Sequence, residues 1–262
     1  MRLTRISALV LAVALALTTA TSAGEIRSKH LPFGLPTGTD ATNDLVFRSC
    51  YVLSSNDKTK FADWVAYRLT LLEVHGEVKL DRNFRSDTLI DPDETLESSD
   101  YTGANAAFKY EKGHLAPLAS FKGSPFAAEV NYLSNIVPQK SAMNGGPWGR
   151  LEEAVRKLVY KHRVVVVMCG TLYDIDVDEL PKSDEMHEVP GAFWKVVITK
   201  PKGQPLKVAA FIMRQDIAGN ANYTGTLTTV KEIQDRAGFK LFPKLPASLV
   251  NVKDAAWVGT WE

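Results

Sequence analysis

The residues best suited to chemistry in this chain lie between Glu111 and Arg156. Glu111-Lys112-Gly113-His114 precedes Asn131-Tyr132-Leu133-Ser134-Asn135, then Pro138-Gln139-Lys140-Ser141, Asn144, Glu152 and Arg156. The set combines an isolated imidazole, neutral amide oxygens, carboxylates and cations. That inventory suits hydrolysis of a phosphodiester with a hard divalent cation. Imidazole is the commonest general base, Mg²⁺ takes oxygen ligands and keeps much of its water, and Lys and Arg pair with phosphate oxygens.

Each of these residues also has an ordinary structural reading. Of the five histidines, His30, His75, His114, His162 and His187, any one alone is more often packed or solvated than catalytic. His114 is set apart by Gly113, which permits close backbone approach, and by Lys112, a partner for phosphate. The residues alone leave both readings of His114 open. Asn144-Gly145-Gly146-Pro147 reads equally as a plain turn and helix start. Arg82, in Leu80-Asp81-Arg82-Asn83-Phe84-Arg85, is either a solvated side chain or a guanidinium clamp on phosphate.

The element that must position Asn144 and Glu152 is a helix near Trp148. Trp148, Leu151, Val155, Leu158, Val159 and His162 form one stripe at three-to-four spacing, and Pro147 suits a first turn close to Asn144. Glu152 and Arg156, four apart, face the same way at the stripe's edge. On a regular helix Glu152 stands roughly 80° around and about 12 Å beyond Asn144. Both can then point into one cleft without both gripping one small ion, so one ligand would be direct and the other would act through a bound water.

The remaining pattern predicts an α+β fold on a central antiparallel sheet flanked by helices. Ala62 to Val74 alternates as a half-buried strand, and Arg163 to Met168 is a β-branched run covered on both faces. Phe193–Thr199 and Leu206–Arg214 are strands joined by a Pro- and Gly-rich turn. Thr229 and Glu232 make a capping-box pattern for a helix that Gly238 ends. Ile26 to Asn43 reads as an irregular arm and Asp87 to Tyr101 as an acidic surface loop. No internal repeat is evident.

Residues 1–23 read as a secretory signal peptide: a basic Met1–Arg5, an apolar Ile6–Leu17 and small residues up to Ala23. An uncleaved anchor is the alternative, against which the short apolar run argues. Residues 24–262 then form one domain, secreted or periplasmic. The full chain has 31 basic and 30 acidic residues, so any electropositive groove must be local. Cys50 and Cys169 leave a single disulfide and two buried thiols equally open, and two cysteines are too few for a thiolate zinc site. The sequon Asn222-Tyr223-Thr224 reads as a chance occurrence.

On these residues the chain resembles the DNA/RNA non-specific endonucleases of the Serratia-nuclease type. The likeness is carried by Thr59–Tyr67, Asp100–Ala107, His114–Ser120, Asn131–Ser141, Trp148–Glu152, Ala192–Val196 and the helix ending at Gly238. It spans about residues 45 to 245 and implies a ββα-metal finger. The resemblance implies roles for single positions. His114 becomes the general base, Asn144 the direct protein ligand to Mg²⁺ (Mn²⁺ as a substitute), and Glu152 the acid that holds metal-bound water. Arg82 and Arg156 contact phosphate and developing charge, and Asn135 and Gln139 are polar neighbours of the cluster. The family usually reads Asp-Arg-Gly-His where this chain has Glu111-Lys112-Gly113-His114. Lys112 keeps the charge but loses the planar fork, and Glu111 adds a methylene. The implied partners are DNA and RNA, cut to 5′-phosphorylated products, with an inhibitor protein left open. Two rivals remain on the sequence: a catalytically weak nucleic-acid-binding relative, and a phosphodiesterase acting on another polyanion.

Overall fold

The computed structural model describes residues 26–261, so the signal-peptide segment lies outside the described residues. Among the described residues nine strands form two sheets: β1 (Asp44–Phe47), β2 (Val52–Ser55), β3 (Ala62–Thr70), β4 (Tyr110–His114), β5 (Ile136–Lys140), β6 (Val164–Leu172), β7 (Ala192–Thr199), β8 (Lys207–Arg214) and β9 (Leu227–Thr228). Seven of them make an antiparallel sheet in the order β1-β2-β3-β6-β7-β8-β9, while β4 and β5 pair separately. The main helices are α1 (Leu71–Val74), α2 (Ala104–Phe108), α3 (Ser141–Met143), α4 (Gly149–His162) and α5 (Val230–Ala237). The predicted mixed fold with a large antiparallel sheet is the one observed.

Strand alternation divides the core in two. Val65, Tyr67 and Leu69 of β3, Val165, Val167 and Cys169 of β6, and Phe193 and Val197 of β7 pack with Leu151, Val155 and Leu158 of α4. The intervening Trp64, Ala66, Val166, Met168, Trp194 and Val196 pack against Val230 and Ile233 of α5 and the Phe239–Leu245 segment. Both faces of the sheet are therefore dry. That corrects the half-buried reading of β3: its alternation is between two cores, and it stops at Thr70. Thr70 and Glu73 form a capping box that opens α1.

The turn signals held closely. Thr229 caps α5 by accepting from the Glu232 amide, and Gly238 closes it at φ 79°. The Asp87–Tyr101 segment is irregular, as expected, yet it is no mere surface loop. Ile90, Leu96 and Tyr101 are buried, and Asp87 is buried against Arg48 and accepts from the Ser134 hydroxyl at 2.6 Å. Cys50 and Cys169 are separate buried free thiols. Cys169 bonds to the Leu115 carbonyl and Cys50 lies by Ser124 and Phe126.

Candidate active site

The strand pair β4–β5 and the following α4 build a ββα unit against the α4-facing core. On β4, alternation puts Lys112 and His114 on one face and Glu111 and Gly113 on the other. Gly113 is required there. A Cβ on it would lie 2.1 Å from Oε1 of the buried Gln139 and 2.6 Å from its Cγ. The Gln139 amide N and O have no hydrogen-bond partner among the described residues.

His114 ends β4 with its ring 5.6 Å from that of Phe84. Its Nε2 lies 2.9 Å from Asn131 Oδ1. Asn131 is buried and its amide group is oriented from behind, because Nδ2 donates to the Asp81 carbonyl at 2.6 Å. The amide oxygen must therefore face the imidazole, so Nε2 carries the proton and Nδ1 is left basic. Burial pushes the His114 pKa down, helped by the Arg82 charge and opposed by the Asn131 bond. The ring is neutral at neutral pH, as a base requires.

Asn144 does not stand on a regular helix. Asn144–Trp148 is a π-type turn between α3 and α4, with Gly146 at φ −97°, ψ −120°. A Cβ on Gly146 would meet the Gly219 carbonyl at 2.6 Å, and Pro147 withholds an N–H from the helical ladder. The 80° and 12 Å spacing of an unbroken helix therefore fails here. Even so, Asn144 and Glu152 line one cleft of about 320 Å³ together with His114, Arg82, Pro117 and Lys122. Asn144 Nδ2 donates to Glu111 Oε2 at 2.8 Å, which directs the amide oxygen away from the carboxylate.

Glu152 sits over a fully buried lysine. Lys195 falls on the α4-facing side of β7 by strand parity, between Phe193 and Val197. Its Nζ is 3.8 Å from Glu152 Oε1 and 4.1 Å from the centre of the Trp148 ring. Burial pushes the Glu152 carboxyl up, while Lys195 and then Arg156 pull it down. Those two cations thus favour the carboxylate form.

The donors that line this cleft and could hold a metal are both oxygens: the Asn144 amide and the Glu152 carboxylate. Oxygen donors fit a hard cation such as Mg²⁺ rather than a thiophilic one. Glu97, Asp100 and Glu185 also bring oxygens within 4.8 Å of one another, but none lines this cleft.

Not every residue singled out in the sequence reaches the cleft. Lys112 turns to the Ser98 hydroxyl and carbonyl, with its ammonium 5.2 Å from both the Phe84 and Tyr101 rings. Burial lowers its pKa. Asn135 is wholly buried. Its amide bonds to the Ala116 N–H and to the Ala116 and Val130 carbonyls, so it holds the segment after His114. Arg156 borders an adjoining cleft instead. Asn131, Lys195 and Lys122 were missed. Asn131 was visible as the first residue of its motif, and Lys195 as a lone charge inside an apolar strand; nothing marked Lys122.

Known proteins resemble this chain over most of its length. Residues 28–248 match the family model described as DNA/RNA non-specific endonuclease. The chain is 40% identical over 216 residues to a nuclease of Serratia marcescens, covering 81% of this chain and 80% of that one. It is 26% identical over 232 residues to mitochondrial endonuclease G of Homo sapiens, covering 84% and 75%. A chain of the crystal structure of the EndoG/EndoGI complex, which concerns the mechanism of EndoG inhibition, superposes with a TM-score of 0.73 at 25% identity, covering 84% of this chain and 93% of that one. A family match across most of its length, on a site built from the residues such chemistry needs, places this chain in the DNA/RNA non-specific endonuclease family.

Proposed function

We propose that the chain is an exported, Mg²⁺-dependent nuclease that cuts DNA and RNA with low sequence preference and leaves 5′ phosphates. The observation that carries this reading is the tethered imidazole. Asn131 holds Nε2–H, and Nδ1 is free to take a proton in the cleft that Asn144, Glu152 and Arg82 also line.

His114 Nδ1 removes a proton from water, and the water oxygen attacks phosphorus opposite the 3′ oxygen. The P–O3′ bond then breaks; the 3′ oxygen takes a proton from solvent to become a hydroxyl, the phosphate stays on the 5′ side, and the imidazolium returns its proton to solvent. Arg82, exposed at the cleft rim, binds a phosphate oxygen and offsets the charge of the pentacoordinate state. Asn144 would hold the cation directly and Glu152 through its water. When bound, the ion polarises the phosphate and steadies the leaving oxygen. Glu111 keeps the Asn144 amide turned for that task. Low sequence preference follows if contacts go to phosphates, which carry no base information. Export rests on the basic and apolar pattern of residues 1–23; no helix among the described residues is long and apolar enough to cross a membrane.

The deciding assay is cleavage of plasmid DNA and of RNA with and without chelator, beside His114→Ala. Both polymers should be cut, EDTA should abolish cleavage, and Mg²⁺ should restore it. His114→Ala should cost at least about a hundredfold, the low end for a lost general base. Cleavage indifferent to EDTA, or a near-native His114→Ala, would overturn the reading.

A further inference from the structure

A second cleft of about 360 Å³ adjoins the first, and Ala119 and Lys122 line both. Its far wall carries Arg156, His75 and Tyr160. We infer that this cleft is a nucleoside subsite, in which Tyr160 backed by His75 stacks against a base next to the scissile phosphate while Lys122 and Arg156 take the backbone between the two clefts. The inference rests on the nuclease reading above and adds a residue that selects for the presence of a base.

Three observations carry it. First, Tyr160 is a large aromatic left 49% exposed, and the His75 ring meets it edge-on at 6.3 Å and 90°. A preset aromatic face is how single-stranded nucleic acid is held without sequence choice, since every base has a π-face. Second, Arg156 and Lys122 bring two cations to this cleft, and a guanidinium offers a planar fork to a phosphate oxygen. Of the lining acids, Glu153 is paired to Lys157 at 3.6 Å and Glu77 is exposed; Arg156 also acts on Glu152 of the first cleft, pulling its carboxyl down against burial.

Third, the ridge between the clefts is built to be rigid. Gly76 and Gly123 touch backbone to backbone, so a Cβ on Gly76 would lie 2.5 Å from the Gly123 Cα. The Val78 amide donates to the Lys122 carbonyl at 3.0 Å, and the Gly123 amide to that of Glu73 at 2.9 Å. The segment that carries His75 is thereby tied to the one that carries Lys122. A strand crossing the ridge would meet His114 on one side and Tyr160 on the other.

The test uses a single-stranded oligonucleotide with one base-free (tetrahydrofuran) unit, and cut sites mapped along it. The wild-type chain should cut the bond flanking that unit about five- to 150-fold more slowly than the other bonds, the range that base–aromatic stacking spans. Tyr160→Ala should slow the other bonds towards that rate and erase the difference, whereas Tyr160→Phe should preserve it. Equal wild-type cutting at all bonds would overturn the subsite, as would a Tyr160→Ala chain that retains the discrimination or loses the same factor at every bond. A wild-type chain that cut no bond at all would instead overturn the nuclease reading, and this subsite with it.

Discussion

Changing Asn131 to Asp replaces the neutral acceptor behind His114 with a charged one of nearly the same shape. The new carboxylate would sit 2.9 Å from Nε2, at a buried position, with its charge about 4 Å from the centre of the imidazolium charge. At an effective dielectric constant near 20, Coulomb attraction at that distance is about 4 kcal/mol. Measured shifts for an ion pair this close run to roughly one to three pKa units. The native ring is held below its ordinary value by burial, and the substitution works against that by raising its pKa. A protonated imidazole cannot accept a proton. The acid limb of kcat/KM, which reports groups of the free enzyme, should therefore move up by about one to three units. Activity on the acid side should fall and recover as the pH is raised. The same carboxylate would also face the Asp81 carbonyl that now accepts from Asn131 Nδ2, so the fold should lose stability as well. The assay is the pH profile of oligonucleotide cleavage at saturating Mg²⁺ for both chains. An acid limb that stays in place, with activity uniformly scaled, would show that the base is not the group Asn131 holds.

Three further outcomes follow from contacts outside that bond. Gly113→Ala should destabilise the chain by about 1–3 kcal/mol, the usual cost of overpacking a core, because its Cβ has no room beside Gln139; a thermal melt checks it. Lys112→Arg should leave plasmid cleavage within about threefold of native, since Lys112 points to Ser98 and not into the cleft. His30 should make stability fall in mild acid. It is buried neutral, with Nε2 3.1 Å from the Ser49 carbonyl and Nδ1 accepting from the Arg68 amide, and burial chiefly lowers its pKa from 6.5 to about 4. The unfolded chain then binds the extra proton first. The stabilising effect is complete above pH 6.5 and is lost towards pH 4, by up to about 3 kcal/mol. Urea melts at pH 7 and pH 4.5 should show the drop, and His30→Gln should reduce it.

Much of this architecture was legible because it is written in local pattern. The β-branched run became β6, the Pro- and Gly-rich turn joined β7 to β8, and Thr229 and Gly238 bracketed α5. What escaped depended on partners far along the chain. Alternation in β3 looked half-polar because a strand between two cores and a strand at a surface differ only in what covers them, and α5 arrives more than a hundred residues later. The regular helix drawn through Asn144 failed at Gly146, where the Gly219 carbonyl comes close enough to need a missing Cβ.

The same limit applies inside the site, with a consequence for the signature change. Residue types announced a base, a hard ligand and cations, but their aim is set by amide bonds across long separations: Asn131 to the Asp81 carbonyl, Asn144 to Glu111. At position 111 a carboxylate spans from β4 to the π-type turn, and glutamate reaches one methylene further than the usual aspartate. The π-type turn displaces Asn144 from the line of α4, and the Glu111 carboxylate meets its amide there at 2.8 Å. Lys112 behaves in the opposite way. With no planar fork to lay against a phosphate, its ammonium settles between two aromatic rings and a serine, so the rim charge falls to Arg82 and Lys122. The two neighbouring charges thus serve different ends: Glu111 turns the amide of Asn144, and Lys112 lies outside the cleft.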